Sequence, residues 1–420
     1  MSTKINYLGL SLLIGSILIV VVIYFWYQKS QKRYEEYVDE VKKFRFGYMD
    51  TLGNTFIEPQ YNQARDFHEG LAAVKMDSVW GYIDRNKQVI IPFQFVYAFD
   101  FIEGLALVST AIEQTSDEPD IALSRRIPGK WGFIDKTGKF VIEPVYPYAE
   151  SFSEGLALVG FNPYNRVLAS KKTRRTSYDY EYNFIDKSNK RLLSENIKTM
   201  MPPMPFSDGM SLITNPVNSD DFAYGYLNNL GKIVVSPSFP DAKTFSGGLA
   251  AVKAKADDGT EKWAYIDKTG SIVIEPVYTS AEKFSCGYAL VANTDRSEFM
   301  PYNNVFFIDK SGKVAFEKNY EFAQSFSENL AVVNNNGEYY YLDLNGNKTI
   351  IGDSAMQFMW SFVNGYAPVT IIEKDNMIAA YMDKSKRIVR NNYLTESFNY
   401  SYNIPSDFHE GLVVIKSKVE

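Results

Sequence analysis

The chain of 420 residues contains one cysteine and two histidines. A lone Cys286 excludes an intramolecular disulfide, and it lies too far from the amino terminus to be the lipid-bearing cysteine of a bacterial lipoprotein. No clustered Cys and His ligands, no glycine-rich phosphate loop and no nucleophile elbow occur. The expected cofactor set is therefore none, the expected metal set none and the expected catalytic set none, and an enzyme is only a remote alternative with no substrate to name. Excess positive charge is missing too. A net charge of −6 and a pI near 5.3 exclude a global basic field, so nucleic acid is not an expected partner.

What the chain has in plenty is aromatic residues, with 30 Tyr, 29 Phe and 5 Trp. Rings fit a pleated, half-buried surface, and the 45 % hydrophobic and 22 % charged fractions are those of an ordered protein. The amino-terminal segment is of another kind. Ile5 to Tyr27 carries no charge over 23 residues, long enough at about 1.5 Å per helical residue to cross a hydrocarbon core of about 30 Å. Tyr24, Trp26 and Tyr27 supply an interfacial belt, and no small-x-small cleavage site follows. The expectation is a short tail at 1–4, one transmembrane helix at 5–27 and a helical stalk at 28–45. The protein is then placed in a bacterial membrane as a single-pass protein. Lys29, Lys32 and Arg33 lean the remainder toward the cytoplasm by the positive-inside rule, with export left open.

The rest of the chain repeats. KWGFIDKTGKFVIEP at 130–144 recurs as KWAYIDKTGSIVIEP at 262–276. Aligned on its turn residue, the motif occurs nine times, at Asp50, Asp84, Asp135, Asp186, Asn228, Asp267, Asp309, Asp343 and Asp383. A second landmark, the Phe of F-S-E-G-L-A-x-V, follows 17 residues later in six of the nine copies. Each copy reads as a strand containing Trp-Gly, a turn, a strand ending at proline, a linker Y-x-x-A-x-x-F, and a third strand after Glu-Gly. The residues carrying this reading are Trp80, Gly81 and Asp84; Trp131, Gly132, Asp135, Gly138, Pro144 and Gly155; and Trp263, Asp267, Gly270, Pro276 and Gly287. Asp caps the turn, Gly138 and Gly270 take positive φ, and the proline stops the second strand.

These residues resemble the bacterial WG repeats, with the signature matched at 80–108, 131–159 and 263–291 and the likeness extending over about 46–416. The resemblance implies a β-rich repeat domain at 46–416, before a tail at 417–420, and no activity common to the family. Both faces of each strand are apolar, so successive copies must cover one another. Nine units of three strands exceed the usual propeller of about four to eight blades and fall short of its four strands per blade. The expected fold is therefore an all-β array of about nine three-stranded antiparallel meanders, open as a solenoid or superhelix in preference to a closed propeller. In an open array the loss of one Trp anchor melts one unit and leaves the far end folded.

The aligned Asp row reads as turn caps, because stacking spaces its members by about 10 Å, too far for shared cation coordination. The Glu row (Glu69, Glu103, Glu154, Glu328, Glu410) stands before the Gly of a turn, with Asn329 in that place after Glu328. Both histidines, His68 and His409, replace the Ser of F-S-E-G in the first and last copies. They read as exposed turn residues, and as a zinc or catalytic pair only if the array closes. Insertions gather in one connection, between the LALV strand and the next Trp-Gly strand, notably 109–129, 160–181 and 293–304. They form a candidate binding rim with Tyr164, Lys171, Lys172, Arg174, Arg175, Tyr178 and Tyr180. The function expected is a membrane-anchored, non-enzymatic scaffold that binds a protein or a cell-envelope polymer through that rim. The alternative is a carbohydrate-binding module that stacks exposed tyrosines on glycans.

Overall fold

The computed structural model describes residues 44–110, 130–169, 174–216, 222–293, 304–316, 319–352, 356–373, 376–390 and 407–418. Its local unit follows from the motif. Trp131–Ile134 turns back through D-K-T-G into Phe140–Tyr146, with Gly138 at φ 86°. Asp135 Oδ1 accepts from the Thr137 and Lys139 N–H groups at 2.9 and 3.1 Å. All nine aligned residues, Asn228 included, accept from the amides two and four positions on.

Beyond the turn the pairing slips. Ile142 faces Phe133, but Tyr146 faces Trp131, so extra residues bulge around Pro144. The second strand therefore runs through the proline to Tyr146 instead of stopping before it, because a residue in a bulge has no ladder bond to lose. The bulge lays backbone against the Trp-Gly strand. A Cβ on Gly132 would lie 2.6 Å from Ile142 O and 2.7 Å from Pro144 N, and Gly47, Gly81 and Gly225 meet equivalent backbone. Glycine follows tryptophan here because a neighbouring chain occupies the side-chain position.

Among the described residues nine antiparallel sheets result, four with four strands and five with three. The unexpected fourth strand is the linker Y-x-x-A-x-x-F, seen as Gln63–His68 and Tyr97–Ile102, and too short to show strand alternation in the sequence. The first blade runs Gln63–His68, Leu71–Met76, Val79–Asp84, Val89–Phe95 from its inner to its exposed edge. A sequence copy begins at the third strand of a blade. Each copy thus supplies the outer half of one blade and the inner half of the next. Tyr82 Oη crosses that junction to donate to Phe99 O at 2.7 Å.

The offset closes the array. Phe44–Asp50 and Thr55–Tyr61, the outer half without a predecessor, join the carboxyl-terminal strand Leu412–Lys418 in one sheet. Phe44 pairs with Lys418 and each residue pairs in step to Asp50 with Leu412, without a register shift. The apolar clusters tell the same story. Trp80, Tyr82 and Ile91 of the first blade pack with Phe101, Ala106 and Val108 of the second, and Trp131 and Phe133 of the second with Phe152 and Val159 of the third. Met49 and Ile415 of the closing blade pack on Tyr381 of one neighbour, and Tyr48 and Ile57 on Phe67 of the other. An open array has two uncovered end faces; here both are covered.

The fold is therefore a closed nine-bladed propeller, which corrects the expected open solenoid; five of the nine sheets keep the expected three strands and four gain a fourth. The repeat begins earlier and ends later than expected, since Phe44 and Arg45 of the supposed stalk are strand and the last strand reaches Lys418. Among the described residues there is no helix, and none long and apolar enough to cross a membrane. That finding runs against the expected architecture of one transmembrane helix before the repeats and against the single-pass membrane localisation that rests on it. The segment 5–27 and most of the stalk lie outside the described residues.

Candidate functional site

Each blade's inner two strands are joined by a two-residue turn, Glu-Gly in four of the nine, whose two residues both have positive φ: Glu69 52° and Gly70 87° in the first blade. A two-residue hairpin turn of this hand matches strand twist. The turn also carries the Glu carboxylate to the next blade. Glu69 accepts from Gly104 N–H at 3.0 and 3.1 Å, Glu103 from Gly155, Glu154 from Gly209, and Glu328 from Gly365. The final link, Glu410 to Gly70 N–H, spans the seam. Lys136, Lys187 and Lys384 from the neighbouring D-K turns reach Glu69, Glu103 and Glu328 at 3.1, 3.2 and 3.0 Å. Burial works against the Glu69 anion, yet the Gly104 amide and Lys136 hold its carboxyl below the ordinary range.

A second ladder lies beside this girdle. Ser153, Ser207, Ser246, Ser285 and Ser327 each donate a hydroxyl to the Phe carbonyl of the following blade, at 2.6 to 2.8 Å. In the last and first blades the serine is His409 and His68, and closure brings their rings to a centroid separation of 4.4 Å. They are not the independent exposed turn residues expected; each is about three-quarters covered or less, with 26 and 31 % of the side chain accessible.

Two positions before each histidine stand Asp66 and Asp407, with Asp100 at the matching position of the second blade. His409 Nε2 is 3.9 Å from Asp66 Oδ2 and His68 Nε2 is 3.9 Å from Asp100 Oδ2. Burial, reinforced by the Asp100 charge, pushes Asp66 up to about 7, and burial also raises Asp100 and Asp407. Arg65 stacks over Phe99 at 4.4 Å. Asp66 Oδ1, Asp100 Oδ1 and Arg65 Nε are buried without a hydrogen-bond partner among the described residues. Asp66, His68 and His409 each offer one ligand atom within 4.8 Å of the others, so among the described residues they form a group able to hold a metal ion. The aspartates were missed in the sequence. Their signal is columnar: six other copies put Ser151, Pro205, Thr244, Lys283, Ser325 and Ser361 at this position.

Trp80, Trp131 and Trp263 are 5, 7 and 8 % exposed, between blades, and Gly155 and Gly287 take positive φ at their turns. Gly270 and Pro276 repeat the turn and bulge beside Asp267, although Ala264 replaces the glycine there. The rim is in part described. Leu156–Ala169 and Arg174–Asp186 form a long hairpin in which Tyr164 faces Asp179, Asn165 faces Tyr178, Leu168 faces Arg175 and Ala169 faces Arg174. Lys171 and Lys172, and most of 109–129 and 293–304, lie outside the described residues. Tyr180 is not free for stacking on a ligand; its ring packs on Tyr148 at 5.5 Å. At the foot of the hairpin a cleft of about 630 Å³ is lined by Glu181, Arg191, Lys198, Thr214 and Pro237.

Among solved structures, a eukaryotic initiation factor is similar at 11 % identity, covering 83 % of this chain and 94 % of its own, with a TM-score of 0.47. Citrobacter koseri AztD is similar at 10 % identity over 90 % of this chain and 99 % of its own, with a TM-score of 0.32. No curated protein sequence matches. The family described as WG containing repeat matches at 46–80, 80–110, 131–162, 224–255, 263–295 and 306–339. With its strands, turns and bulges built as above, the chain is a WG-repeat-containing protein.

Proposed function

We propose that this protein is a non-enzymatic binding scaffold, a ring of blades that presents recognition segments to a protein partner on one rim. One observation carries the reading. The hairpin of Leu156–Ala169 and Arg174–Asp186 has strands of 14 and 13 residues, whereas the equivalent strands of the first blade have 6 each. Strand direction alternates within each blade, so all connections of this class leave the ring on the same face, opposite the Glu-Gly turns. The hairpin and the cleft at its foot give that face a relief, and its volume is within the range of about 300–1,000 Å³ typical of ligand sites. The engagement of Tyr180 with Tyr148 favours a protein partner over a glycan.

The test exchanges 161–180 for a two-residue turn and compares the partners captured by photo-crosslinking through residue 198, which lines the cleft and is present in both proteins, with those of the intact ring. A discrete crosslinked partner lost on trimming, with ring melting unchanged, supports the rim. Capture that is the same from the trimmed ring counts against it.

A further inference from the structure

We propose that the ring seam is a binding site for a borderline divalent transition-metal ion of the Zn²⁺ class, held by His68, His409 and Asp66. The first ground is position. The chain has two histidines, and both occupy the serine column of the inter-blade ladder, in the copies that closure makes adjacent. A serine at either place would have a carbonyl to bond, as Ser153 and Ser207 do at 2.7 and 2.8 Å. Replacing that bond with imidazole gives up ladder continuity and gains a ligand pair.

The second ground is charge and hydrogen bonding. Asp66, Asp100 and Asp407 meet at the seam with Arg65 as the neighbouring cation, and its guanidinium lies over the Phe99 ring. Three carboxylates against one guanidinium leave an excess of two negative charges when ionised, which one divalent ion balances. Asp66 Oδ1 and Asp100 Oδ1 are orphaned in the absence of such a charge. Buried polar oxygens ordinarily have partners, so this pair asks for one.

The third ground is ligand chemistry. Two imidazoles and a carboxylate suit Zn²⁺, Co²⁺ or Ni²⁺, whereas Ca²⁺ and Mg²⁺ take oxygen. The three ligand atoms lie within 4.8 Å of one another, and tetrahedral Zn²⁺ with bonds of about 2.0–2.1 Å draws its ligands to about 3.3 Å apart. Small rotations of part-exposed side chains close that difference. Asp100, 3.9 Å from His68 Nε2, stands where a carboxylate orients a metal-bound imidazole. The Asn364 amide is 3.4 Å from His409 Nδ1, too long to hold that ring in one tautomer. Because His409 and His68 belong to the last and first blades, the ion fastens the ring where its two ends meet.

The experiment titrates the metal-free full chain with Zn²⁺ by equilibrium dialysis and records the visible spectrum of the Co²⁺ form. The variant His68→Ser/His409→Ser restores the side chain used by other blades and keeps the ring folded. The expected results are one more Zn²⁺ bound at micromolar concentration than in the serine variant, Co²⁺ bands that the variant loses, and a Zn²⁺-dependent rise in melting temperature confined to the wild type. Asp100→Asn weakens binding about 10- to 100-fold. Equal stoichiometry in wild type and serine variant, or no Zn²⁺ bound by the folded wild type, overturns the proposal. Should the serine variant not fold, Asp66→Asn serves in its place, and undiminished binding there is equally adverse.

Discussion

Gly70 N–H donates to both carboxylate oxygens of Glu410, at 3.0 and 3.1 Å, across a sequence separation of 340 residues. The bond repeats what Glu69 does for Gly104 within the chain, so the junction between the two ends is built like an internal blade junction. Glu410→Ala should cost about 1 kcal/mol, the scale of an exposed, charge-assisted bond. Hydrogen exchange at Gly70 should quicken while Gly104 is unchanged; unaltered exchange at Gly70 would contradict the closure girdle.

Closure changes what the loss of an anchor does. Trp131→Ala and Trp263→Ala should each cost about 3–5 kcal/mol, as large aromatic deletions in cores do. In a ring every blade has two neighbours, so the melt should remain a single transition at lower temperature. A multi-phasic calorimetric trace with one stable half would instead describe an open array.

The Trp-Gly pair makes a sharper test. Gly132→Ala puts a methyl 2.6 Å from Ile142 O, backbone that is itself held by pairing, and should cost about 1–3 kcal/mol or more. The converse change, Ala264→Gly, opens no such clash and should cost no more than about 1 kcal/mol. Thermal melts of the two variants side by side would show whether strand crossing explains the glycine.

Acid stability should depend on the turn carboxylates. The Thr137 hydroxyl first, then backbone amides, hold Asp135 below the ordinary carboxylate range, and Ser188, Thr269 and Ser311 do the same for Asp186, Asp267 and Asp309. A lowered folded value means stability that is present above the unfolded value, near 3.9, and is lost as pH falls through the folded one. Asn228 makes the same two backbone bonds without titrating. Replacing these four aspartates by Asn should thus move the acid-unfolding midpoint to lower pH while the ring stays folded at pH 7. A midpoint unmoved, or moved upward, would refute the assignment.

Much of this was legible in the letters. The nine turn caps, the positive-φ glycines, the buried tryptophans and the packing of one copy on the next all follow from spacing and from residue chemistry over fewer than about twenty positions. Those are local properties, and local hydrogen bonding and strand alternation are enough to determine them. The fourth strand was hidden because a segment such as Tyr148–Ala149 is recognised by its partner in the sheet and has no alternation of its own.

Three things were decided only by the tertiary structure. Pro144 sits in a bulge instead of ending a strand, because the crossing over Gly132 needs the backbone of both strands at once. The Glu row bonds to the next blade, because positive φ aims each side chain out of its own sheet. Above all, His68 and His409 meet only because the half-copy at each end completes a shared blade. Ring closure depends on the accumulated twist and spacing of nine blades, a sum over the whole chain that no single copy of the motif contains.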